Sequence, residues 1–81
     1  MAKVPTNAEV ERAILDAIKT YNVRAGEIVP TMGVYMKVEK AIGGKMHEYE
    51  TALTSMHQKG LIEGASAPAF LKLTDKGFAE M

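Results

Sequence analysis

His47, Thr51, Thr54 and Gln58 follow one another at spacings of four, three and four residues. On a helix that turns about 100° per residue they share one face. All four carry uncharged hydrogen-bonding groups, which suits them to nucleic-acid base edges or to water-bridged contacts. A metal reading of His47 and His57 is not indicated, because ten helical residues separate them by roughly 15 Å and the chain has no cysteine to join them. No glycine-rich phosphate loop follows a strand, and no nucleophile stands beside a histidine in a catalytic arrangement. Glu48 with Glu50 reads as a solvated helix start favoured by the helix dipole. The sequence therefore points away from an enzyme, a cofactor or a metal centre.

Lysines surround the four polar positions in sequence. Lys37 and Lys40 precede them, Lys45 stands just before His47, Lys59 follows Gln58, and Lys72 lies further on. Together they could grip phosphates around a base-reading face. The alternative is that they are scattered solubilising charges. Ten Lys plus Arg against ten Asp plus Glu give a formal net charge of zero. That is unusual for a free-standing nucleic-acid binder unless the charges segregate onto opposite faces.

The elements that must position these side chains fit one small domain, residues 1–81, with 47% apolar and 25% charged residues. The absence of cysteine, of a signal-peptide pattern and of any apolar run of about 18 residues predicts a cytoplasmic chain with no membrane segment. Thr6 and Glu9 have capping-box spacing, with Asn7 as an alternative cap. Val10, Ala13, Ile14, Ala17, Ile18 and Tyr21 then predict a first helix over about 7–21. Its other side carries Glu9, Glu11, Arg12, Asp16 and Lys19, and Leu15 there is either a lone exposed leucine or a dimer contact.

Ile28 and Val29 could form a short strand before Pro30. A second helix is expected from Thr31 or Met32 to Ile42, burying Met32, Tyr35, Val38, Ala41 and Ile42, with Gly33 weakening its first turn. Gly43 and Gly44 make a sharp turn into a third helix over about 46–59, whose inward stripe is Tyr49, Ala52, Leu53 and Met56. Strands over 61–63 and 69–73, joined through 64–68, form a hairpin. Thr74 caps a last helical turn from Asp75 that carries Phe78 and Met81 back onto the body. Met32, Met36, Met46 and Met56 read first as a soft core and, as the alternative, as an adaptable partner surface.

From Ile42 onward the chain resembles the winged helix-turn-helix regulators of the MarR-like and PadR-like families. The resemblance rests on Ile42-Gly43, on Leu53 and Met56, on Lys59-Gly60-Leu61-Ile62-Glu63 and on Leu73-Thr74-Asp75-Lys76-Gly77. It implies an α+β fold of three main helices, a two-stranded wing and a short C-terminal helical turn. It also implies a small DNA-binding transcriptional regulator that pairs as a homodimer and places its third helix in the major groove of double-stranded DNA. His47, Thr51, Thr54 and Gln58 would then meet base edges, and Lys37, Lys40, Lys45, Lys59 and Lys72 phosphates. Three departures keep a second reading open, a protein-interaction winged helix that binds no DNA. Glu39 stands where these families place a small residue, acidic Glu48 and Glu50 lie near the start of the third helix, and the segment 64–68 has no lysine or arginine.

Overall fold

The computed structural model describes residues 6–43, 45–64 and 70–81. Gly44 and most of the expected connection between the hairpin strands, together with Ala69, lie outside them. The elements are α1 (Asn7–Lys19), β1 (Ile28–Pro30), α2 (Thr31–Ile42), α3 (Met46–Gln58), β2 (Ile62–Gly64), β3 (Phe70–Leu73) and α4 (Asp75–Glu80). Among the described residues this is an α+β arrangement of four helices and one three-stranded antiparallel sheet, in the order β1-β3-β2. Among the described residues, no helix is long and apolar enough to cross a membrane.

The expected capping box starts α1: the Glu9 amide donates to the Thr6 hydroxyl and the Thr6 amide to the Glu9 carboxylate, each at 3.2 Å. The helix ends at Lys19, two residues before Tyr21. It packs against both α2 and α3, so its buried arc is wider than one stripe and takes in Val10, Glu11, Ile14, Leu15, Ala17 and Ile18. Leu15 is thus a core residue, which corrects the expectation of an exposed leucine or dimer contact, and Glu11 is enclosed rather than solvated.

On α2 the buried pair is Val34 and Val38, while Met32 and Met36 face outward and Ala41 is exposed. The expected buried side was therefore misplaced at Met32 and Ala41. Tyr35 and Ile42 are half-buried against the core. Gly33 has a packing role: a Cβ there would run into the Tyr21 hydroxyl and lie 3.2 Å from Pro30 Cγ. Gly43 ends α2 in the left-handed region at φ 69°, its amide donating to Glu39 O at 2.8 Å. Glu39 itself is exposed and accepts from the Tyr35 hydroxyl at 3.1 Å.

The sheet follows from alternation. Val29, Ile62, Leu71 and Leu73 turn inward, and Ile28, Pro30, Phe70 and Glu63 turn outward. The register pairs Val29 with Leu71, Ile28 with Lys72, Ile62 with Leu73 and Glu63 with Lys72. The expected two-stranded hairpin is therefore widened by β1, and the Gly26 amide on Leu73 O (2.7 Å) with the Leu73 amide on Glu27 O (3.0 Å) extends that pairing.

The run Leu73-Thr74-Asp75-Lys76-Gly77 has a physical account. The Thr74 hydroxyl donates to a fork of the Gly60 and Leu61 carbonyls, at 2.6 and 2.8 Å, and accepts from the Gly77 amide at 2.9 Å. A Cβ on Gly77 would strike the Leu61 carbonyl oxygen, so α4 can seat here only with glycine at that position. Phe78 remains exposed, contrary to expectation, whereas Met81 does pack against the core.

Candidate nucleic-acid interface

Both ends of α3 are fixed by its own sequence. At the start the Lys45 amide donates to the Glu48 carboxylate at 2.8 Å, so Glu48 closes the helix N-terminus rather than standing as a loose charge. At the end the Gly60 amide bonds His57 O (3.1 Å) and the Leu61 amide bonds Met56 O (2.9 Å). With Gly60 at φ 76°, this is the Schellman arrangement, and buried Met56 and Leu61 supply its apolar contact. The turn that stops α3 therefore also aims β2.

Tyr49, Ala52 and Met56 bury one side of α3, and Leu53 is half-buried. Complete burial of a side chain such as Met56 contributes about 1.5–3 kcal/mol. Tyr49 locks α3 to α2: its hydroxyl donates to Thr31 O at 3.1 Å, and its ring meets Tyr35 edge-on, with centroids 5.3 Å apart. Burial, with a smaller contribution from Tyr21, pushes the Tyr49 phenol well above its ordinary value.

With that side inward, His47, Thr51, Thr54 and Gln58 are all exposed, as the spacing predicts. The hydroxyls of Thr51 and Thr54 donate to the carbonyls of His47 and Glu50, at 3.0 and 3.1 Å. Each threonine keeps a methyl group and an accepting lone pair for a partner. Glu50 is exposed on the flank. On the same flank Leu53, Ile62 and Leu71 floor a cleft of about 440 Å³ rimmed by Thr54, His57 and Gln58.

The expected ring of lysines is only partly assembled. Lys40 and Lys45 are exposed and, among the described residues, make no ion pair. Lys37 instead lies over the Tyr21 ring, 5.4 Å from its centroid. Lys59 bonds Glu11 across to α1 at 2.8 Å, and Lys72 faces its cross-strand partner Glu63 at 3.9 Å. Burial pushes the Glu11 carboxyl up. Hydrogen bonds from Lys59 and Ser55, the Lys59 charge and a bond from Asn7 outweigh it and hold the carboxyl below its ordinary value.

Sequence reasoning missed this strut. The available signal was Leu15 four residues after Glu11, which puts an apolar side chain on the same face as the carboxylate. It also placed three methionines in the core that the fold leaves outside: Met32, Met36 and Met46 are exposed, and only Met56 of those four is buried. Among the described residues, no three His, Cys, Asp or Glu side chains gather as a metal site. Comparison with known proteins yields no matching family model, no matching curated protein and no matching solved structure.

Proposed function

We propose that this chain is a winged helix-turn-helix DNA-binding protein, a small transcriptional regulator whose α3 is the recognition helix and whose β2 and β3 form the wing. The observation that carries the reading is the face of α3. Four uncharged hydrogen-bonding side chains stand exposed in one row, while the opposite side is held in the core by Tyr49, Ala52 and Met56. The order helix, strand, helix, helix, hairpin, with the first strand added beside the hairpin, supports the same reading. Lys40 and Lys45 serve as phosphate contacts at the start of the helix, and His47, Thr51, Thr54 and Gln58 meet base edges. A homodimer would use Phe78 on α4, since Leu15 is committed to the core.

A second reading, a protein-interaction module without DNA binding, is favoured by one observation: Met32, Met36 and Met46 are exposed. An amide chemical-shift titration with mixed-sequence duplex DNA at low and moderate salt separates the two. Salt-sensitive shifts concentrated on residues 45–58 and on β2 and β3 are expected. No shift at low salt would reject the DNA reading in favour of the protein module.

A further inference from the structure

Resting on the reading of α3 as the recognition helix, we infer that its target is A·T base pairs, read through thymine methyl groups by Thr51 and Thr54 and through adenine by Gln58. The inference starts from what the outward row lacks. Arginine or lysine bidentate to guanine O6 and N7 is the commonest way to read a G·C pair. No such residue stands in the row; Lys45 is the N-cap, outside the helical turns.

What the row contains has a definite preference. Both threonine hydroxyl protons are engaged with carbonyls one turn back, so each side chain offers a partner a methyl and an acceptor. In the major groove an A·T pair presents an amino donor and a C5-methyl, whereas a G·C pair presents an amino donor with no methyl. The threonine pair matches the first on both counts and the second on one. Gln58 is exposed, and its carboxamide supplies the donor and acceptor that fit adenine N6 and N7 together. From Thr51 to Gln58 the helix rises about 10.5 Å, which spans about three base-pair steps at 3.4 Å. One module would therefore read a run of three or four pairs. Exposed Glu50 opposes phosphate, and at a base edge it would accept from cytosine N4 and so select a G·C pair; the A·T reading therefore requires it to stay on the flank, off the bases.

The test is fluorescence anisotropy of the full chain, at low salt, on duplexes of equal length. One has an A·T centre, one a G·C centre, one the A·T centre with deoxyuridine for thymidine, and one the G·C centre with 5-methylcytosine. The A·T duplex is expected to bind at least about tenfold more tightly than the G·C duplex. Uracil should weaken binding about fourfold for each contacted methyl removed, and methylcytosine should recover part of the G·C deficit. Thr51→Ser with Thr54→Ser keeps the hydroxyls and should erase the uracil effect, while Gln58→Ala should erase the adenine preference; circular dichroism checks the fold of each variant. Equal affinity for the thymine and uracil duplexes would overturn the inference and leave DNA binding standing. Failure to bind any duplex would remove the parent reading and this one with it.

Discussion

Lys59→Met separates a structural lysine from a phosphate contact. The ammonium lies 2.8 Å from a Glu11 carboxylate whose side chain is 10% exposed, while the lysine side chain is 55% exposed. Removing one partner of a fully buried pair costs about 3–5 kcal/mol, whereas an exposed pair contributes about 0–1 kcal/mol. Glu11 keeps its bond from the Asn7 side-chain Nδ2 at 2.6 Å, so the expected loss lies between these limits, at about 1–2 kcal/mol. In a domain of this size it should lower the melting temperature by roughly 5–15 °C. Acid supplies a second check. Because the folded carboxyl titrates below its ordinary value of 4.5, its stabilisation is present above that value and disappears as pH falls through the folded one. The gap between the native chain and Lys59→Met, measured by urea unfolding, should be full at neutral pH and close progressively below pH 4.5. Unchanged neutral stability, or a gap that persists in acid, would refute the strut. If the variant instead folds normally and the slope of DNA affinity against salt falls by about one unit, Lys59 is a phosphate contact.

Gly77→Ala should be among the most damaging small changes, because its methyl meets a backbone carbonyl. A loss of about 2–3 kcal/mol is expected in chemical denaturation, and native-like stability would exclude the tight seat of α4. Gly33→Ala should lose, through contact with the Tyr21 hydroxyl at the far end of a half-buried side chain, most of the about 1 kcal/mol that alanine gains over glycine in a helix, and so stay within about 1 kcal/mol of native stability. Tyr21→Phe should restore a measurable part of that loss, whereas strictly additive melting temperatures would place the cost elsewhere. Glu50→Gln removes an exposed carboxylate from the flank of the reading face. It should raise duplex affinity roughly two- to fivefold at low salt, with the gain fading as salt screens it, and weaker binding would mean the carboxylate contacts a base.

The sequence made α3 legible because this helix buries one narrow stripe: Tyr49, Ala52 and Met56 recur at helical spacing, Gly60 ends the helix, and the polar row follows by rotation. The same reasoning failed on α1, which lies between two helices and buries Glu11 and Leu15 from the side a single-stripe pattern assigns to solvent. On α2 it placed Val38 correctly but followed methionine hydrophobicity to Met32, whereas the second inward side chain is Val34, one turn before Val38. The strand at Ile28 and Val29 was visible as a local preference. Its pairing with β3, more than forty residues away, depends on tertiary packing that no local spacing encodes. Charge distribution was the least legible part. The partners that withdraw Lys59 and Lys37 lie on α1 or just after it, and only folding brings them together.

Those pairings bear on how tightly one module could hold DNA. On the proposed reading the candidate phosphate lysines that make no ion pair among the described residues are Lys37, Lys40 and Lys45, so the slope of log affinity against log salt should be about −3. Proteins that make six to ten phosphate contacts have far steeper slopes and gain most of their nonspecific affinity that way. On that reading a single copy of this chain would need additional contact area to occupy a site at physiological salt. The exposed stripe Met32-Met36-Lys40 along α2, in which Met36 is 63% exposed, puts apolar side chains and one of those lysines on the same helix face. On the rival reading, which binds no DNA, a protein partner would cover Met32 and Met36 and withdraw Lys40 along with them.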